Sequence, residues 1–116
     1  VKAALDSDPD VDTVMALGAS LAGEPAVTAV SAVGRAGEVA VGSFDLSASF
    51  LESVAGGDAA FAIDQQQYLQ GYLPVLFLAL HAEYGLVPGG NVPSGPNLIT
   101  SDKAAQVVDL SAQGIR

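Results

Sequence analysis

Apolar residues fall into short runs separated by polar or glycine-rich breaks, and the runs alternate between strand-like and helix-like patterns. Val1-Lys2-Ala3-Ala4-Leu5 reads as the tail of a helix, followed by the polar turn Asp6-Ser7-Asp8-Pro9-Asp10, where Pro9 stops further helix. Val11 to Leu17 reads as a strand closed by Gly18. From Ala19 to Val33 the apolar residues Leu21, Val27, Val30 and Val33 recur at helical spacing. Pro25 suits only a first helical turn, so the main helix is expected to start near Glu24, with Gly34 and Gly37 ending it.

Glu38 to Gly42 reads as a second strand and Ser47 to Ala55 as a short helix. Ser49 and Glu52 have capping-box spacing, and Ser47 is the competing cap. After the turn Gly56-Gly57-Asp58, Ala59 to Asp64 forms a third strand. Gln67 to Tyr84 is the longest helix, and Tyr72, Leu73, Val75, Leu76, Phe77, Leu78 and Leu80 spread over nearly all its faces. A helix apolar all round is expected to be buried all round, and Pro74 inside it predicts a kink. A Gly/Pro loop over 88–96, a short strand over 97–100 and a helix over 101–113 complete the chain. Strand alternating with helix predicts an α/β fold, a parallel sheet with flanking helices and right-handed crossovers.

Two of these boundaries carry polar side chains. Asp45 follows the second strand and Gln65 the third, each ahead of a helix. In open α/β sheets ligands bind outside the carboxyl ends of the strands. A carboxylate there can accept hydrogen bonds from adjacent hydroxyls, as a sugar presents them, and an amide both donates and accepts. The plainer alternatives are a capping or turn aspartate and a solvated loop glutamine. Gly18 marks the matching edge of the first strand and is the third candidate position. Gln66 and Gln67 are expected in the first helical turn with outward side chains, and Asp64 offers a side chain that could bond the backbone at a chain crossing.

Composition narrows the function. The 116 residues carry a net charge of −9 with only four Lys and Arg, so the basic footprint that nucleic acid demands is missing. Half of the residues are apolar, enough for a core. With no cysteine, disulfides and thiolate metal sites are excluded. Gly18 and Gly23 have phosphate-loop spacing, but Glu24 and Pro25 stand where Lys and Ser or Thr are required, and no GxGxxG or GxSxG occurs. His81, the sole histidine, has no partner at metal-ligand spacing and is expected to pack within its helix. No catalytic set, metal site or cofactor is expected. The apolar stretch Leu73 to Leu80 is too short to span a bilayer. The chain does not open on a signal peptide, and its first residues read as a continuation, so it reads as a piece of a longer protein.

The segments Asp8-Pro9-Asp10-Val11-Asp12-Thr13-Val14, Val39 to Asp45, Ala60 to Tyr72 and Leu98 to Lys103 resemble the type I periplasmic sugar-binding proteins, the ribose-binding kind of solute receptor for ABC importers. The Phe44-Asp45 pair combined with the Ile63-Asp64-Gln65-Gln66 run carries that resemblance, which covers the C-terminal part of such a protein. It implies two lobes joined by crossing strands, with ligand in the cleft and Asp45 and Gln65 bonding sugar hydroxyls. Many members have Asn or Asp where Gly18 stands, so the resemblance carries no side-chain contact to that position. It further implies that residues 1–65 belong to the C-terminal ligand-binding lobe, 66–96 to a crossing helix and loop of the N-terminal lobe, and 97–116 to a return strand and helix. The protein would be periplasmic or extracellular, with a lipid anchor compatible, and would deliver its solute to importer membrane subunits. Taken alone, these residues would form a homo-oligomer or element-swapped dimer. The effector domain of a LacI-type transcription regulator shares the fold and stands as the alternative.

Overall fold

Strands that alternate with helices can pair in parallel, because each crossover returns the chain to the starting edge. The computed structural model describes residues 1–116, and its first three strands do this. A short helix α1 (Lys2–Ser7) leads into β1 (Thr13–Ala16). A π-helical turn, Ala19–Gly23, opens α2 (Glu24–Ala32) without a side-chain cap. Then come β2 (Ala40–Phe44), α3 (Ala48–Gly56), β3 (Phe61–Asp64), α4 (Gln67–Tyr84), β4 (Asn97–Ile99) and α5 (Ser101–Ala112). Spatial order in the sheet equals chain order. Helix α4 has the predicted bounds, whereas β2 begins two residues late because Glu38 and Val39 close the preceding turn onto Arg35.

The sheet is not wholly parallel. β4 runs antiparallel to β3, with Asp64 opposite Asn97 and Ala62 opposite Ile99. The chain leaves β3 at its carboxyl end, runs out along α4, and returns through the 85–96 loop to that same end. A strand that starts there can only run backwards.

Side chains alternate between the two faces of the sheet. Val41, Ser43, Ala62, Asp64 and Ile99 point to the helical face and are buried. Against them pack Ala26 and Val30 of α2, Phe50, Leu51 and Val54 of α3, and Ala104 and Val107 of α5. Full burial of a side chain such as Phe50 or Leu51 contributes about 1.5–3 kcal/mol. Along the opposite face Met15, Gly42 and Phe61 share one line of the register, and Phe44, Ile63 and Leu98 the next. That face is partly open, Met15 being 41% and Leu98 54% exposed. The Phe61 ring lies directly over Gly42, where a Cβ would sit 2.5 Å from it.

Helix α4 departs from the expectation that it is buried all round. None of its residues is buried, and Val75 and Leu78 are each 68% exposed. The sheet ends before α4 begins, so the helix projects and draws the molecule out to 59 × 26 × 20 Å. His81 shares this exposure and is not a packed histidine. No helix is long and apolar enough to cross a membrane.

Candidate functional site

Parallel pairing puts the carboxyl ends of β1, β2 and β3 on one rim, and the chain turns sharply at each. After Phe44, Asp45 takes a left-handed backbone with φ of 66°, a conformation that Asp tolerates better than most residues with a Cβ. Its N–H donates to the Ile63 carbonyl at 3.0 Å, carrying the ladder one residue beyond β2. Two residues on, Ser47 caps α3, its hydroxyl accepting from the Phe50 N–H at 3.2 Å and donating to Glu24 Oε1 at 2.6 Å. Ser47 is thus the cap, in place of Ser49, and it ties the start of α3 to the start of α2.

The exit from β3 is held more firmly. Asp64 is fully buried, with Oδ1 accepting from the Gln66 N–H at 2.8 Å. Its Oδ2 accepts from Arg116 Nε at 3.0 Å and Nη2 at 2.7 Å. The backbone bond fits the role considered for Asp64 at a chain crossing; the Arg116 ion pair is new. Local bonding of this kind offers a chain a turn in place of a continued strand. Gln66 accordingly stands in the left-handed region with φ of 53°.

That turn brings the predicted residues together. Gln65 Nε2 donates to Asp45 Oδ1 at 2.6 Å. Gln67 Nε2, on a side chain exposed as expected, reaches the same oxygen, also at 2.6 Å. The left-handed step at Gln66 is the reason, since it turns the start of α4 back toward the rim. The Gln65 carbonyl accepts from Ser94 Oγ at 3.0 Å and Gln70 Nε2 at 2.8 Å, which anchors the backbone on both sides. The returning loop crosses closely above it, as a Cβ on Gly95 would lie 2.9 Å from the Asp64 carbonyl oxygen.

Gly18 lies on the same rim, past the end of β1, with extended backbone. Its carbonyl accepts from the N–H groups of Ala22 and Gly23, and an added Cβ would meet nothing within 4 Å. The space before it is open, and it makes no hydrogen bond to Asp45 or Gln65. No three His, Cys, Asp or Glu side chains group in a way that could hold a metal ion. An open cavity of about 250 Å³ adjoins Gln65, lined also by Phe44, Gln70 and Ser94. A larger one of about 880 Å³ lies between α4, β4 and α5, beside Tyr68, Lys103 and Arg116, and does not reach Asp45.

A hydrogen-bonded carboxylate and amide thus stand side by side on the rim of a mostly parallel sheet. This is the lobe architecture of the sugar-binding solute receptors of ABC importers. A carbohydrate transporter from Acidothermus cellulolyticus, solved with myo-inositol, is 32% identical and superposes on 99% of this chain with a TM-score of 0.87. An ABC-transporter solute-binding protein from Agrobacterium vitis, bound to α-D-tagatopyranose, is 27% identical over 98% of the chain with a TM-score of 0.72. The xylose/arabinose-binding protein XylF of Sulfolobus acidocaldarius is 36% identical over 73 residues, 62% of the chain. The chain spans only 40%, 37% and 18% of these three proteins, respectively. No protein-family model matches it. All three are described as carbohydrate-binding or carbohydrate-transport proteins, and none as a transcription regulator.

Proposed function

We propose that this chain is the C-terminal ligand-binding portion of an ABC-importer solute receptor and that it takes a sugar or a sugar-like polyol. The contact of Gln65 with Asp45 at 2.6 Å on one rim carries this reading. Asp45 accepts sugar hydroxyls, Gln65 both accepts and donates, and the open space at Gly18 leaves room for the ring. Residues 1–65 and 97–116 form one lobe, and 66–96 belong to the other, a division supported by the lack of any buried residue in α4. The whole receptor works in the periplasm or outside the cell and hands its solute to the importer's membrane subunits.

The test is Asp45→Ala in the receptor carrying both lobes, titrated calorimetrically with myo-inositol, D-xylose and L-arabinose. Leaving sugar hydroxyls unpaired should cost about 1–3 kcal/mol or more of affinity. Unchanged affinity would remove Asp45 from the site. The 116 residues alone leave α4 and one sheet face uncovered, so they associate as a dimer or exchange elements between copies. Light scattering that gives a clean monomer at high concentration would rule this out.

A further inference from the structure

Asp45 presents its two carboxylate oxygens unequally. Oδ1 accepts from both Gln65 Nε2 and Gln67 Nε2, while Oδ2 accepts from no side chain. A carboxylate only accepts, so each amide must turn its nitrogen toward Asp45 and its oxygen away. The result is a fan of acceptors that these bonds leave unused: Asp45 Oδ2, Gln65 Oε1 and Gln67 Oε1. Gln67 belongs to this fan only because Asp64, pinned by Arg116, bonds the Gln66 N–H and holds the left-handed turn between the two glutamines.

We propose that Gln67 is a specificity-determining residue of the site, one that occupies Asp45 Oδ1 and leaves a single carboxylate oxygen for the ligand. The inference rests on the polyol-receptor reading. A ligand hydroxyl binds Oδ2, and its neighbour must meet an amide oxygen instead of the second carboxylate oxygen. The configuration of adjacent hydroxyls is then read by two acceptors on different elements, the rim after β2 and the start of α4. Without Gln67 a lone pair on Oδ1 opens, and the carboxylate can take two neighbouring hydroxyls by itself. The stereochemical demand relaxes, while the charge that holds the ligand stays.

The experiment compares parent, Gln67→Met and Asp45→Asn in the two-lobe receptor. The probes are two epimer pairs, myo-inositol with scyllo-inositol and D-xylose with L-arabinose. Gln67→Met should change the affinity ratio within the pair that binds by about threefold to tenfold, the worth of one acceptor to a hydroxyl. Asp45→Asn should weaken every bound probe. If Gln67→Met leaves both ratios unchanged while Asp45→Asn weakens binding, the role of Gln67 is overturned and the receptor reading survives. If Asp45→Asn changes nothing, or the parent binds none of the four, the receptor reading fails and the inference with it. A second measurement needs no ligand. In the 116-residue chain the side-chain amide NMR signals of both Gln65 and Gln67 should move on Asp45→Asn. A stationary Gln67 signal would also overturn the proposal.

Discussion

Arg116→Met would strand a carboxylate that has no access to water. Asp64 is 0% exposed, and Arg116 supplies both donors to its Oδ2; only the Gln66 N–H on Oδ1 would remain. Removing one partner of a buried ion pair costs about 3–5 kcal/mol. The Arg116 side chain is itself 31% exposed, so water can follow it out and the lower figure of about 2–3 kcal/mol applies. With a urea m-value of about 1–1.5 kcal/mol/M for a chain of this size, the unfolding midpoint should fall by about 2 M. Asp64→Leu combined with Arg116→Met should be less destabilised than Arg116→Met alone, because no unpaired charge is left behind. A midpoint for Arg116→Met within about 0.5 M of the parent would refute the reasoning. So would a double variant weaker than both singles together, since a favourable pair makes the second removal less costly.

Gly95→Ala should destabilise by about 1–3 kcal/mol, because its Cβ meets backbone of the Asp64-Gln65 exit, which hydrogen bonds from Gln70 and Ser94 hold in place. Gly42→Ala is the control, since the ring of Phe61 can swing away on the half-open face; equal thermal shifts for the two would sink the distinction. Asp102 is held below the ordinary aspartate range first by the Thr100 hydroxyl that bonds it. A depressed folded pKa gives stability that is present above the unfolded value, near about 4, and lost as pH falls through the folded one. Thr100→Val should therefore return the Asp102 titration, followed by NMR, toward the ordinary value and leave neutral-pH stability little changed because the group is exposed; an unmoved titration would contradict this cause.

What the sequence disclosed depended on how local the cause was. The bounds of α4 were legible because Gln67 opens and Gly85 closes a long run of helical spacing. The rim positions of Asp45 and Gln65 were legible because each ends an apolar strand. The direction of β4 was not, since three residues carry no mark of which way they pair. Arg116 reaches Asp64 across 52 positions, a contact that only the assembled fold creates. Gln67 was missed for a different reason. Three consecutive glutamines look alike, and nothing in Gln66 itself announces a left-handed backbone, which here follows from its neighbour's buried carboxylate. The burial expected of α4 failed because apolar composition states a demand for cover and does not supply it.

The antiparallel pairing of Asp64 with Asn97 has a consequence for evolution of the chain. The chain departs from and rejoins the scaffold at one doorstep, so the outer part of this excursion, from Gly71 to Pro93, can lengthen, shorten or diverge with its two ends still moored side by side. A tight hairpin joining the same two strands would satisfy the ladder equally well. The excursion is in this sense a cassette, and the sheet beneath it need not register what is plugged in.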